Sequence, residues 1–208
     1  MSSSGTSSRG STEDRRSGRL FVITGPSGVG KGTLIARLLE EVPELELSVS
    51  ATTRSPRGSE RDGVHYHFMD DEEFARRVAE DQFIEHAGYA SHNYGTLRSE
   101  VDPRLADGRS VVLEIELQGA RQIRGTVPDA VQVFIAPPSP ADLRDRLEGR
   151  GTDSPEQITS RLAVAAEELQ ARDEFGHVIE NDDLDRASKQ LTELVRSHLR
   201  SGAQQPLS

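Results

Sequence analysis

The chain has 208 residues, 34% of them hydrophobic, a formal net charge of −10 and no cysteine. Its length fits one domain with small insertions. Its acidity argues against an extended basic surface for a nucleic-acid polymer, and the missing thiols exclude disulfides and thiolate metal sites and suit a reducing cytoplasm. No apolar run approaches the roughly 18 residues of a membrane helix, so a membrane is not an expected partner. The sequence leaves the oligomeric state open.

Residues 1–18 are rich in Ser and Gly and lack the apolar centre of a secretory signal, so a disordered tail is expected there, with a second flexible tail over 202–208. The folded domain is expected over 19–201. It opens with "RLFVIT", an apolar run leading straight into glycines, the pattern of a buried strand. After the loop "GPSGVGKGT" (25–33), "TLIARLLEEV" sets Leu34, Ile35, Leu38, Leu39 and Val42 on one helical face, and Pro43 limits the helix. Residues 48–98 are polar and rich in Arg, His, Tyr and Gly, as expected of an inserted binding subdomain. "SVVLEIEL" (110–117) and "AVQVFIA" (130–136) are β-branched runs expected to join the first strand in a parallel sheet covered by helices. Residues 139–160 gather arginines around "EGRGTDSPEQ", a composition suited to a mobile lid. Helical patterns run through "SPADLRDRLEGR", "SPEQITSRLAVAAEELQARDEF" and "DLDRASKQLTELVRSHLR". The core of the domain is thus expected over 19–47, 99–138 and 161–201.

The 25–33 loop has the spacing and the strand–turn–helix setting of a phosphate-binding loop. Gly25, Gly28 and Gly30 let the backbone approach an anion without a Cβ in the way, with Pro26, Ser27 and Val29 completing the loop. Its N–H groups and the following helix N-terminus offer donors and partial positive charge, and Lys31 adds a full one. The residue after that lysine, usually Ser or Thr and a ligand of Mg²⁺, is Gly32. Either Thr33 substitutes, or phosphate oxygens, water and a carboxylate hold the metal, with Glu114 at the end of "VVL" as the candidate.

In "SVSATTRSPRGSERDGVHYHFMD" (48–70), Arg54 and Arg57 are three apart, able to clamp a dianionic phosphate through guanidinium forks, and Tyr66 can donate to the same oxygens. His65, His67, His86 and His92 come with no carboxylate–His signature, so histidine metal binding is not expected. With "GPSGVGKGT", "FIEHA", "NYGT", "IELQGA", "FIAPPS", "RLEGRGTDS" and "NDDLDRA" in the same order, the segment "TTRSPRGSERDGVHYHFM" resembles the guanylate kinase family, from about Arg19 to about His198.

That resemblance implies a P-loop kinase α/β fold with a central parallel sheet flanked by helices, an inserted GMP-binding subdomain and a mobile lid. It implies transfer of the γ-phosphoryl group of ATP to GMP, and to dGMP, with Mg²⁺. By position it implies Arg54, Arg57, Tyr66 and Tyr94 at the GMP phosphate, Ser50, Glu85, Thr96 and Glu116 around guanine, Arg146, Arg150 and Arg161 as lid arginines, and Asn181 near adenine. The sequence departs from the family's pattern at Gly32 and at Glu114 and Glu116, where aspartate is commoner. Competing readings are a phosphopeptide-binding module, against which the intact loop and Lys31 argue, and a sugar-phosphate kinase, against which Ser50, Glu85 and Thr96 argue.

Overall fold

A computed structural model describes residues 18–89, 91–149 and 154–202. The two expected tails therefore fall almost wholly outside the described residues, and so does Arg150. The first strand, β1 (Leu20–Thr24), is buried at all five positions. Its side chains alternate between two apolar layers: Phe21 and Ile23 join one cluster, Leu20 and Val22 the other. A strand buried on both faces belongs inside a parallel sheet. β1 is flanked there by β7 (Ser110–Glu114) and β8 (Val131–Ala136), both parallel to it. Two edge strands, β2 (Leu45–Leu47) beside β7 and β9 (His177–Glu180) beside β8, complete the order β2-β7-β1-β8-β9. The edge strands are absent from the sequence expectation; each is short and needs only one sheet neighbour, so neither carries a long apolar run.

Helices cover both faces. α1 (Lys31–Glu41) and α7 (Leu184–Gly202) pack Leu34, Leu38, Leu191 and Val195 against Phe21 and Ile23. α3 (Arg98–Ala106) and α4 (Leu117–Thr126) place Val101 and Ile123 on the opposite face. Within the stretch expected as a lid, α5 (Pro140–Glu148) buries Leu143 and Leu147 in the same cluster as Val29 and Ile135. α6 (Pro155–Gln170) starts at a capping box in which Ser154 and Gln157 satisfy each other's backbone N–H groups. The helical pattern expected through Phe175 ends in a 3-10 turn at Arg172–Glu174.

The polar stretch folds into a second sheet, order β4-β3-β6-β5, from β3 (Ala51–Thr52), β4 (His67–Phe68), β5 (Phe83–Tyr89) and β6 (His92–Leu97). α2 (Asp71–Ala79), capped by Asp70, closes it over a small core of Ala51, Phe74, Phe83 and Leu97. Gln122 of α4 fastens β5 to the first unit: its side chain accepts from the His86 N–H at 3.1 Å and donates to the His86 carbonyl at 2.6 Å. No helix among the described residues is long and apolar enough to cross a membrane.

Candidate active site

The loop between β1 and α1 sits at the C-terminal edge of the parallel sheet, where open α/β sheets bind ligands. Gly25 has φ +139°, and a Cβ there would lie 2.2 Å from the Ile135 carbonyl oxygen, so only glycine lets the chain leave β1 beside β8. Lys31 is buried, and its Nζ donates to the carbonyl of Gly25 at 2.5 Å and of Pro26 at 3.4 Å. The Val29 carbonyl is held from behind: Asn181 Nδ2 donates to it at 2.8 Å and an Arg146 guanidinium nitrogen at 3.2 Å. Arg146 also donates to the Asn181 carbonyl at 2.6 Å, and the Asn181 N–H donates to Ala136 at 2.8 Å. Asn181 thus spends its amide nitrogen on the loop. A Cβ on Gly30 would lie 2.7 Å from that nitrogen.

Gly32 and Thr33 lie exposed in the first turn of α1. The oxygens of Glu114, at the end of β7, stand 3.7 and 3.8 Å from where a Cβ at position 32 would be. Glu114 opens onto a cavity, yet protein atoms crowd its carboxyl. Desolvation pushes its pKa up against the pull of Lys31, and the charge of Glu116 pushes it further.

That cavity, about 280 Å³, lies between the two sheets. Ser50, Tyr66, Glu85 and Tyr94 line it from the second sheet's side, Glu114 and Glu116 from the first. Glu85 is 4% exposed and accepts from Thr96 Oγ1 at 2.7 Å. Burial pushes its pKa up to about 7; hydrogen bonds from Thr96 oppose the rise, and the charge of Glu116 adds to it. A Cβ on Gly119 of α4 would lie 2.2 Å from Glu85 Oε2, so any larger residue there would push the carboxylate aside. One carboxylate oxygen of Glu116 is buried with no hydrogen-bond partner among the described residues.

Arg54 is buried, and its guanidinium makes a two-pronged pair with Glu60 at 2.9 and 3.0 Å while lying 5.2 Å from the Tyr66 ring centroid. Tyr94 also lies close to the same guanidinium. Glu60 also accepts from the Arg57 N–H at 2.7 Å. These bonds, the Arg54 pair first, hold the Glu60 carboxyl down at about 2. One carboxylate therefore sets both candidate phosphate-binding arginines: Arg54 by its side chain, Arg57 by its backbone. The Arg57 side chain is exposed, free of the packing that holds Arg54. Arg161 on α6 is near enough to Tyr89 for its charge to be felt there, and Tyr89 also lies close to Ser27 of the loop.

Two of the four histidines have other partners: His67 Nε2 lies 2.9 Å from Glu100, and His65 Nδ1 accepts from the Arg61 N–H at 3.1 Å. Among the described residues no group of three or more His, Cys, Asp or Glu side chains is arranged to hold a metal. Glu60 and Gly119 are site residues that sequence reasoning did not assign, although both lie inside motifs it quoted. Gly119 needs the contact between α4 and β5 to reveal its purpose, and no local pattern carries that contact.

A phosphate loop leading from β1 into α1, facing an acid-lined cavity roofed by a second sheet, defines a P-loop kinase. A family model described as guanylate kinase matches residues 17–198. A guanylate kinase of Synechococcus sp. (strain CC9902) is 58% identical over 174 residues, spanning 84% of this chain and 93% of that one. One of Frankia casuarinae is 54% identical over 176 residues, with coverage of 85% and 96%. The crystal structure of guanylate kinase from Anaplasma phagocytophilum matches with a TM-score of 0.72 at 30% identity, covering 88% of this chain and 87% of that one. The chain belongs to the guanylate kinase family, whose members are nucleoside monophosphate kinases.

Proposed function

We propose that this enzyme transfers the γ-phosphoryl group of ATP to GMP, and to dGMP, giving ADP and GDP in purine nucleotide metabolism in the cytoplasm. The observation that carries the choice of GMP is the buried Glu85 carboxylate in a cavity beside the phosphate loop. Guanine offers N1–H and a 2-amino group side by side, and one carboxylate accepts both. Adenine has an acceptor at N1 and would leave Glu85 buried and unpaired, a mismatch worth about 10⁴-fold in sites built on polar pairing. Ser50 and Thr96 supply hydroxyls near the base, and Glu116 a second acceptor. Arg54, Arg57, Tyr66 and Tyr94 hold the GMP phosphate. Glu60 keeps Arg54 aimed, which lowers the ordering cost of binding.

The attacking group is a phosphate oxygen, already anionic at neutral pH, so no general base is required. The protein's task is to align two anions and to neutralise the charge spread over the transferred group. The 25–33 loop cradles the ATP phosphates, Lys31 and the arginines 146, 150 and 161 supply positive charge, and Asn181 and Arg146 brace the loop beneath the nucleotide. Residues 48–98 serve as the GMP-binding subdomain and 139–160 as a lid that excludes water on closure. Mg²⁺ is the metal this chemistry uses; when bound it draws charge from the phosphate oxygens. Thr33 and Glu114 are the protein's candidates to hold it. Glu114 is favoured by its closeness to position 32, where the usual hydroxyl is missing, and would supply a carboxylate oxygen to the ion.

The test is ADP release measured with GMP, dGMP, AMP, UMP and CMP as acceptors. GMP and dGMP should turn over, with the others slower by orders of magnitude. Lys31→Ala should lower kcat for GMP by about 10²-fold or more while GMP still binds. Equal turnover of AMP and GMP, or unimpaired turnover in Lys31→Ala, would remove the reading.

A further inference from the structure

The chain crosses between the two sheets twice: outward from β2 to β3 over residues 48–50, and back from β6 into α3 at Leu97–Arg98. At the outward crossing Ser48 still belongs to the first unit, its N–H donating to the Val112 carbonyl of β7 at 3.0 Å. Ser50 already belongs to the second, its carbonyl accepting from the His67 N–H of β4 at 2.9 Å. Val49 stands between them, and its N–H reaches Oε2 of Glu100 at 3.4 Å.

Glu100 sits in the first turn of α3, just past the return crossing. Its Oε1 lies 2.9 Å from His67 Nε2, and Arg104, one turn on, donates to Oε2 at 2.8 Å. Arg104 in turn donates to the Leu47 carbonyl at 3.3 Å and pairs with Glu46 at 3.3 Å, so α3 also holds the end of β2. Hydrogen bonds to a charged acceptor are roughly twice as strong as neutral ones, which suits a carboxylate to a joint of this kind. The two residues it grips outside their own helix each adjoin one that lines the cavity: Val49 precedes Ser50, and His67 follows Tyr66. In extended chain consecutive side chains face opposite ways, and here Tyr66 turns to the cavity while His67 meets α3. The bond between the Ser50 carbonyl and the His67 N–H joins the two segments, so Glu100 fixes them as one piece.

We propose that Glu100 is a positioning residue for the acceptor nucleotide: from α3, outside the cavity, it fixes the angle at which Ser50 and Tyr66 face the cavity. This rests on the reading of residues 48–98 as the GMP-binding subdomain. None of its three contacts involves the 25–33 loop, so the donor nucleotide does not feel it.

The test is the split between the two Michaelis constants. Glu100→Leu keeps bulk and removes both acceptor oxygens; it should raise KM for GMP about tenfold while leaving KM for ATP within about twofold. Glu100→Gln keeps an acceptor for Val49 and Arg104, and should hold KM for GMP within about threefold of the parent. A merely structural role would shrink the fraction of folded enzyme, which lowers apparent kcat and moves neither KM. An unchanged KM for GMP in Glu100→Leu therefore overturns the proposal, as does an equal rise in both constants, or a Gln variant as impaired as the Leu one. If Glu100→Leu does not fold, His67→Leu cuts only the link to β4 and should raise KM for GMP about threefold; no rise overturns the proposal. The parent separates the two levels. A parent that does not phosphorylate GMP removes the reading of residues 48–98 and Glu100 with it. A parent that does, with KM for GMP unmoved in the variants, removes Glu100 alone.

Discussion

Glu85 shows how burial makes a carboxylate selective. Taking it out of water raises its pKa from the ordinary 4.5 to about 7, so the free protein holds it partly protonated near neutrality. A carboxyl raised in this way binds a proton on folding. Its contribution to stability is fully present below about pH 4.5 and is lost as pH rises through about 7. Guanine binding makes the opposite demand, because N1–H and the 2-amino group need the ionised form. KM for GMP should therefore fall as pH rises from 6 to 8 and level off above. Glu85→Gln should remove that dependence and cost about 10²-fold or more in kcat/KM for GMP, with KM for ATP little changed. Steady-state pH profiles of both variants check this, and a flat parent profile would count against an ionised Glu85 as the base reader. At this scale the sequence was most legible where chemistry is carried by residue type and spacing: Lys31 in its loop, Arg54 near Arg57. It was least legible where a residue's partner is distant in the chain. Asn181 illustrates this: its amide nitrogen bonds the carbonyl of Val29, 152 positions earlier in the chain.

Among the elements, α4 is shaped by what it faces. Gly119 is buried in its first turns, where glycine costs about 1 kcal/mol of helix propensity relative to alanine. The space is taken by Glu85, which a Cβ would meet at 2.2 Å. Gly119→Ala thus gains about 1 kcal/mol in the helix and loses about 1–3 kcal/mol to overpacking, so stability should change by no more than about 2 kcal/mol. Activity has no such offset: Glu85 must move, and kcat/KM for GMP should fall about tenfold or more. Urea unfolding beside kinetics checks the pair, and a destabilised but fully active variant would show that Glu85 tolerates displacement. The strands β1, β7 and β8 were readable as apolar runs because central parallel strands are buried on both faces. β2 and β9, at the edges, were not. The second sheet was visible only as a polar stretch, since two of its strands are two residues long and its core rests on a few side chains.

The whole molecule sets an electrostatic problem, a chain of net charge −10 facing two anionic nucleotides. Many peripheral arginines are neutralised by neighbouring carboxylates, among them Arg76, Arg104, Arg109 and Arg121. Among the described residues, the hydrogen bonds of the Lys31 ammonium go instead to backbone carbonyls, which carry no full charge to cancel its own. Because the cavity takes its walls from both sheets, a bound acceptor joins them. GMP alone, at about 100 times its Kd, should add about 2.7 kcal/mol to stability, a rise of about 5–10 °C in Tm for a chain of this size. Thermal unfolding with and without GMP tests this; Glu85→Gln should shrink the shift, and no shift in the parent would mean that GMP does not bind without ATP.

The brace on the Val29 carbonyl reaches further than a pair of hydrogen bonds. That oxygen and the N–H of Gly30 are opposite ends of one planar trans peptide, so pinning the first to Asn181 and Arg146 turns the second the other way. Gly30, at φ +99°, has no Cβ to resist a rotation of that plane. Without the brace, a half-turn would present a carbonyl where the loop should offer a donor, converting attraction for an anion into repulsion. Asn181 and Arg146 therefore set the polarity of the loop, and they do so from its far side.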